Sequence, residues 1–366
     1  MIEFLPVIVL VLTFVVLLII GVPVAWCIAI SSMFTLMLAM PVSAATTTVS
    51  QRIATGLDSF ALLAIPFFIL SGQIMSKGGI ANRLISFAKT LVGFLPGGLA
   101  LINIVSAMLM GAIAGSAMAS ASAMGTILGP EMEKEGYSKE FGAAVNITSS
   151  TTGLVIPPSN TLIVYSLASG GVSIAALFLA GYIPGILTGL LMMIVAMIWA
   201  KKNNYPVGKR SSLKEVFVKF IDAFPSLLLL VIVIGGIIGG IFTATEASAV
   251  AVLYTVLLSF YYKEMSLKDL PKVILESVET TSIVMLLIGA SMCMSWVLSY
   301  ENIPQDISNA LLSVSDNKIV ILLMINVILL AVGIFMDATP AVLIFTPIFL
   351  PIVTALGMDP THFGIV

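Results

Sequence analysis

Apolar runs of about 20 residues succeed one another along almost the whole of this chain, and no other feature restricts its fold as strongly. Wound as a helix, a run of that length crosses the hydrocarbon core of a bilayer while satisfying its backbone hydrogen bonds internally. Hydrophobic residues fill 59% of the 366 positions and charged ones 9%, whereas soluble domains carry about 25% charge. A membrane barrel would alternate apolar and polar residues at every second position, which these continuous runs do not. The fold class expected is an all-α polytopic membrane protein.

The residue inventory narrows the chemistry. Glu3 stands where a cleavable signal would be basic, and the first apolar run continues through Gly21-Val22-Pro23 to Met40, so it reads as two retained spans. Two cysteines, Cys27 and Cys293, and one histidine, His362, are too few for a Cys/His metal cluster or a disulfide framework. There is no G-x-x-x-x-G-K-[ST] loop, so ATP hydrolysis by this chain is not expected. Nor is a His, Cys or carboxylate pair placed for catalysis, which argues against an enzyme.

The spans fall at 4–20, 22–40, 58–76, a pair at 99–110 and 116–129, a broken one at 140–168, and 174–200. After a basic segment they resume at 225–241, 243–262, 280–299 and a second pair at 319–335 and 339–356. If the N-terminus is outside and each pair is a re-entrant hairpin, Lys and Arg divide 14 inside to 2 outside, Arg52 and Lys318 being the exceptions. That asymmetry supports both the hairpins and a periplasmic N-terminus.

Sliding the chain along itself by 221 residues aligns Gly136 with Gly357, Pro130 with Pro351, and span 22–40 with span 243–262. Each copy then crosses the membrane five times, and an odd number inverts the second copy. The expected division is a first inverted repeat at 1–200, with arm and scaffold helices at 1–95, hairpin and broken helix at 96–168, and a span at 174–200. A basic cytoplasmic connection follows at 201–221, and a second repeat at 222–366 comprises scaffold and arm 222–300, hairpin 317–356 and the start of a broken helix at 361–366. The counterpart of the first broken helix would begin near 367, so the repeat predicts a longer protein. The alternative is that the repeat is coincidental.

Asp337 lies in AVGIFMDATPAVLIF between two apolar runs, where a carboxylate is costly without a cation or water beside it. Its counterpart is Ser116 in GAIAGSAMASASAMG, at the tip of the other hairpin. Asp337 reads either as an ion or substrate ligand or simply as the cap of the helix that follows.

The stretch NITSSTTGLVIPPSN, 146–160, is the strongest polar interruption. Gly153 relaxes the backbone, Ile156 precedes a proline and is pushed out of helical geometry, and Pro157 and Pro158 lack donors, so carbonyls lose their partners. Freed carbonyls suit hard cations, and a helix restarting at Ser159-Asn160 turns its positive end toward a carboxylate. The plain alternative is a proline kink satisfied by nearby hydroxyls. Weaker signals are Glu246, read as a cap with Thr243, the G-x-x-x-G spacings of Gly235, Gly236, Gly239 and Gly240, and Ile80 to Leu91, read as an arm lying flat on the inner surface.

GAIAGSAMASASAMG, AVGIFMDATP, TGLVIPPSN and the basic mid-chain connection together resemble the large membrane subunit of the tripartite ATP-independent periplasmic (TRAP) transporters, within the ion-transporter superfamily. The resemblance implies an inverted-repeat, elevator-type carrier of the bacterial inner membrane, with two re-entrant hairpins and broken helices moving against a scaffold. It implies Na+ held by Ser116 and Ser120 with Gly153, Ile156 and Pro158, and again by Asp337 and Thr339 with residues beyond Val366. Substrate would meet Ser149, Ser150, Thr151, Thr152, Ser159 and Asn160. The partners implied are a small four-helix membrane subunit and a periplasmic substrate-binding protein, and the cargo an organic acid, sialic acid ahead of a C4-dicarboxylate. Each cation entering at 100 mV releases about 2.3 kcal/mol, so two sodium ions offset one carboxylate with drive to spare. Competing readings are a stand-alone sodium-coupled dicarboxylate carrier and a channel or structural membrane subunit.

Overall fold

The structure is a computed structural model and describes residues 5–314, 317–334 and 336–366; Met1 to Phe4, Ser315, Asp316 and Phe335 of the span layout lie outside the described residues. Regular structure among the described residues is helical, with one isolated β-bridge between Pro96 and Val207. The first half runs α1 (Leu5–Ile19), α2 (Val24–Ala39), α3 (Val42–Leu57), a 3-10 turn (Phe60–Leu63), α4 (Ala64–Lys77), α5 (Ile80–Val92), α6 (Gly98–Ala114) and α7 (Ala117–Lys134). The broken segment is α8 (Lys139–Ser150), α9 (Thr152–Val155) and α10 (Asn160–Ala168), followed by α11 (Ile174–Lys202). Then come α12 (Leu213–Ile238), α13 (Ala244–Tyr261), α14 (Leu270–Tyr300), α15 (Ile303–Val314), α16 (Lys318–Gly333), α17 (Ala338–Ala355) and α18 (Pro360–Ile365). Among the described residues, 6 helical stretches are long and apolar enough to cross a membrane, and four shorter apolar helices of 10–17 residues accompany them.

Three departures from the sequence layout have physical causes. Residues 42–57, drawn as no span, form α3: its hydroxyls bond carbonyls one turn back, as in Thr46 to Val42 (3.0 Å) and Thr47 to Ser43 (2.8 Å), so they are satisfied within the helix itself. The basic connection 201–221 is half helix, because Ser212 caps α12 by accepting from the Glu215 N–H (3.2 Å). The arm does not rest its apolar face on lipid. In α5, Ile80, Ala81, Leu84, Ile85 and Ala88 are buried against α6 and α12, and Arg83 lies over the Tyr262 ring (3.6 Å to the centroid) facing Asp222 (3.3 Å).

The packing forms two main cores. One joins Phe68 of α4, Leu84 of α5, Leu101 of α6, Met124 of α7, Ile163 of α10, Phe178 of α11 and Leu229 of α12. The other joins Leu10 of α1, Ile28 of α2, Ala45 of α3, Cys293 of α14, Ile321 of α16 and Phe349 of α17, so both cysteines are buried free thiols. The cores are linked where α10 packs along α17 and where the Tyr165 hydroxyl donates to the Pro360 carbonyl (2.5 Å). Glu246 completes a capping box with Thr243, as the sequence suggests. Gly236 and Gly240 serve the turn that ends α12: a Cβ on Gly236 would meet the Phe242 ring at 2.3 Å, and Gly240, beyond the helix, adopts φ +69.

Candidate functional site

Four chain ends converge between the α6–α7 hairpin and the broken segment. α6 stops at Gly115 in left-handed geometry (φ 61), and Ser116, in extended geometry, caps α7 by accepting from the Ala119 N–H (3.4 Å). On the other side α9 ends at Val155, Ile156 is extended (φ -73, ψ 121) as its position before proline requires, and Ser159 caps α10 by accepting from the Leu162 N–H (3.4 Å). The Pro157-Pro158 bond is cis. The Asn160 N–H, at the start of α10, donates across the gap to the Gly115 carbonyl (3.3 Å).

The prolines determine which carbonyls stay unpaired. An uninterrupted helix would give the Gly153 carbonyl the N–H of residue 157, which proline lacks. Ile156 would have received the Asn160 N–H, spent instead on Gly115, and Pro158 the Leu162 N–H, spent on the Ser159 Oγ. Leu154 alone is rescued, by the Ser159 hydroxyl (2.5 Å). Among the described residues the Gly153, Val155, Ile156, Pro157 and Pro158 carbonyls accept no backbone hydrogen bond; the Val155 oxygen faces Gly181 of α11 and the Pro158 oxygen faces Gly115 at the hairpin tip. Two negative helix ends, of α6 and α9, and two positive ones, of α7 and α10, thus meet in one place, an arrangement able to hold a cation and an anion side by side.

Backbone closeness holds this geometry. A Cβ on Gly111 would stand 2.4 Å from the Gly153 Cα, and one on Gly115 would stand 2.7 Å from the Pro158 carbonyl oxygen. Behind the break, α11 presses equally close: a Cβ on Gly181 would meet the Val155 carbonyl oxygen at 2.4 Å, and one on Gly185 the Ile156 side chain at 2.5 Å. The sequence reading overlooked Gly111, Gly181 and Gly185, although their spacing among larger residues was the available signal. It also overlooked Asn103, a buried amide inside the apolar α6, whose Oδ1 accepts from Ser149 Oγ (3.2 Å), and gave no role to Asn146 at the head of the polar stretch, whose Nδ2 donates to the Ala121 carbonyl (2.8 Å).

The residues expected at the site are partly gathered and partly dispersed. Ser116, Gly153, Ile156, Pro158, Ser159 and Asn160 cluster, and the Asn160 Oδ1 is buried without a hydrogen-bond partner. Ser120 sits one turn into α7, buried, and donates to the Ala107 carbonyl (3.3 Å). Ser150 and Thr152 are buried, with hydroxyls donating to the Asn146 carbonyl and the Ser149 carbonyl (both 2.6 Å). Thr151 is exposed and lines a groove between α8 and α11 with Thr148, Thr188 and Trp199. Asp337 stands at the N-cap of α17, at the second hairpin, with Thr339 in its first turn; Asp337 is exposed and holds the extended geometry of a cap without a side-chain cap bond. A cavity of about 560 Å³ separates the first hairpin from α4 and α14, with Ser116, Ser122, Gln73 and the Lys77–Glu276 ion pair along its wall.

The chain is similar to several known proteins. The YgiK protein of Salmonella typhimurium, an uncharacterized protein, is 56% identical over 99% of this chain and 83% of its own length. The C4-dicarboxylate TRAP transporter large permease DctM of Pseudomonas aeruginosa is 41% identical, over 84% of this chain and 72% of its own. The sialic acid TRAP transporter large permease SiaM of Vibrio cholerae is 37% identical, over 86% and 74%. In fold, the crystal structure of the Alcanivorax borkumensis YdaH transporter superposes with a TM-score of 0.59 at 13% identity, covering 87% of this chain and 75% of that one. Residues 11–366 match the family described as the DctM component of the tripartite ATP-independent periplasmic transporter, and with these spans and this broken helix the chain belongs to that family of multi-pass membrane permeases, which are transporters and not enzymes.

Proposed function

We propose that this permease is the membrane-translocating part of a sodium-driven importer that carries an organic acid across the bacterial inner membrane. The observation that carries the reading is the run of unpaired carbonyls at the break, Gly153, Ile156 and Pro158 among them, with Gly153 and Pro158 packed against the hairpin between Gly111 and Ser116. Unwound carbonyls of this kind are the ligands by which broken helices hold sodium. The spare acceptor on Asn160 adds to them, and the N-terminal end of α10 suits the substrate carboxylate. Asp337 and Thr339 stand at the matching place in the second half and form part of a second sodium site.

An elevator motion has structural support. The packing of α6 and α7 on α8 and α9 makes one body of the first hairpin and the broken helix, and the cavity between that hairpin and α4 and α14 marks where the body faces the rest. The inverted repeat has support too: α6, α7 and α8 begin at 98, 117 and 139, and α16, α17 and α18 at 318, 338 and 360, that is 220, 221 and 221 residues later. Gly136 and Gly357 turn the chain with φ 86 and φ 79, and Ser138 and Asp359 cap the helices that follow. With the N-terminus periplasmic, the hairpins are re-entrant and the basic residues lie inside.

The transporter works with a periplasmic binding protein, which delivers the acid, and a small four-helix membrane subunit. The cargo is a carboxylate-bearing acid, sialic acid or a C4-dicarboxylate, the acids named for two relatives. Proteoliposomes holding the complete transporter should take up labelled acid only with binding protein and an inward sodium gradient. Uptake indifferent to sodium removes the coupling, uptake without binding protein favours a stand-alone carrier, and sialic acid against succinate identifies the cargo.

A further inference from the structure

The site already described leaves unexplained a second concavity of about 510 Å³ between α5, the start of α6 and the linker that precedes α12. Its wall carries Lys89, Lys209, Arg210 and Lys219 against two carboxylates, Glu135 and Glu215. Lys89 is engaged by Glu131 (3.1 Å), but Lys209 and Lys219 make no ion pair among the described residues. The cations outnumber the two carboxylates of the wall, and the surplus positive charge favours an anion in the space between them.

The crevice is built, not a chance gathering of flexible side chains. The linker is pinned at four points: Tyr205 stacks on Tyr137 (4.4 Å between centroids), Val207 pairs with Pro96, Gly208 lies against the Gly93 carbonyl where a Cβ would come to 2.3 Å, and Arg210 covers the Phe94 ring (5.1 Å). The backbone that carries Lys209 is therefore fixed before any ligand arrives, which lowers the entropy cost of binding. Interleaved in sequence with the lining residues are bare apolar side chains: Val207 is 61% exposed, Leu213 90% and Phe217 64%. Basic side chains inside and bare apolar ones next to them along the chain match a ligand with a phosphate head and acyl tails.

We infer that this crevice is a binding site for a phosphate-bearing ligand, filled in the membrane by the headgroup of an anionic phospholipid whose chains lie over Leu213 and Phe217. Occupied, it fastens the linker to the α5–α6 turn.

The test uses the full chain, purified in detergent and stripped of lipid, titrated with short-chain phosphatidylglycerol, short-chain phosphatidylcholine or inorganic phosphate while melting temperature and bound lipid are followed. Phosphatidylglycerol should bind and raise the melting temperature, and phosphatidylcholine should not. The Lys209→Gln/Arg210→Gln/Lys219→Gln variant should bind about a hundredfold more weakly, at about fivefold per basic residue. Lys201→Gln/Lys202→Gln, which removes exposed charge at the end of α11, should bind as wild type does. Gly208→Ala keeps every charge but displaces the linker and should also weaken binding, while Lys209→Arg/Lys219→Arg should retain it. Equal weakening by the Lys201/Lys202 pair, or none by the triple variant, overturns the site. A response to inorganic phosphate with none to phosphatidylglycerol overturns the lipid as its source.

Discussion

Replacing Gly111 by alanine tests the contact on which the sodium reading rests. The new methyl would stand 2.4 Å from the Gly153 Cα and 2.9 Å from its N, both backbone atoms, where ordinary contact begins at 3.4 Å, so hairpin and break must separate by about 1 Å. Overpacking of this kind costs about 1–3 kcal/mol. Metal ligands tolerate displacements of only about 0.2 Å, so the Gly153 carbonyl would leave its position relative to Ser116. If the strain falls on the bound state, half-saturation by sodium rises about fivefold to more than a hundredfold; if it falls on the fold, the melting temperature drops. Uptake against sodium concentration in proteoliposomes, with thermal unfolding of the same preparation, reads both. A Gly111→Ala protein with wild-type sodium dependence and wild-type melting temperature refutes the argument, since a methyl cannot occupy that gap without consequence.

Three other outcomes follow from the same geometry. Asn160→Ala removes a buried acceptor with no partner, so the melting temperature should hold or rise while transport is lost, a separation a purely structural residue would not give. Asp337→Asn should weaken sodium dependence of uptake, and an unchanged sodium affinity would leave Asp337 as no more than the residue before α17. Gly236→Ala should destabilise by about 1–3 kcal/mol through its clash with Phe242, whereas Gly235→Ala, with nothing within 4 Å, should be neutral or slightly stabilising; comparing their melting temperatures checks the pair.

The sequence by itself determined the membrane class, the hairpin at Ser116 and the place of the break, because these depend on local chemistry. A run of apolar residues has one compatible solvent, and two prolines withdraw donors whatever surrounds them. Helix α3 escaped that logic, since its threonines look like loop until their hydroxyls turn back on the preceding turn. Tertiary structure decided the openings that the prolines do not force. Whether Ile156 keeps its partner depends on the Asn160 N–H reaching Gly115, a residue 45 positions away, and that approach exists only because Gly111 and Gly153 lack side chains where two backbones meet. It likewise divided the polar stretch 146–160, turning Thr151 outward and burying Ser149, Ser150 and Thr152 in bonds to their own helix. A helix places successive side chains about 100° apart, so one polar string supplies several faces, and packing against α6 and α11 selects which of them the site keeps.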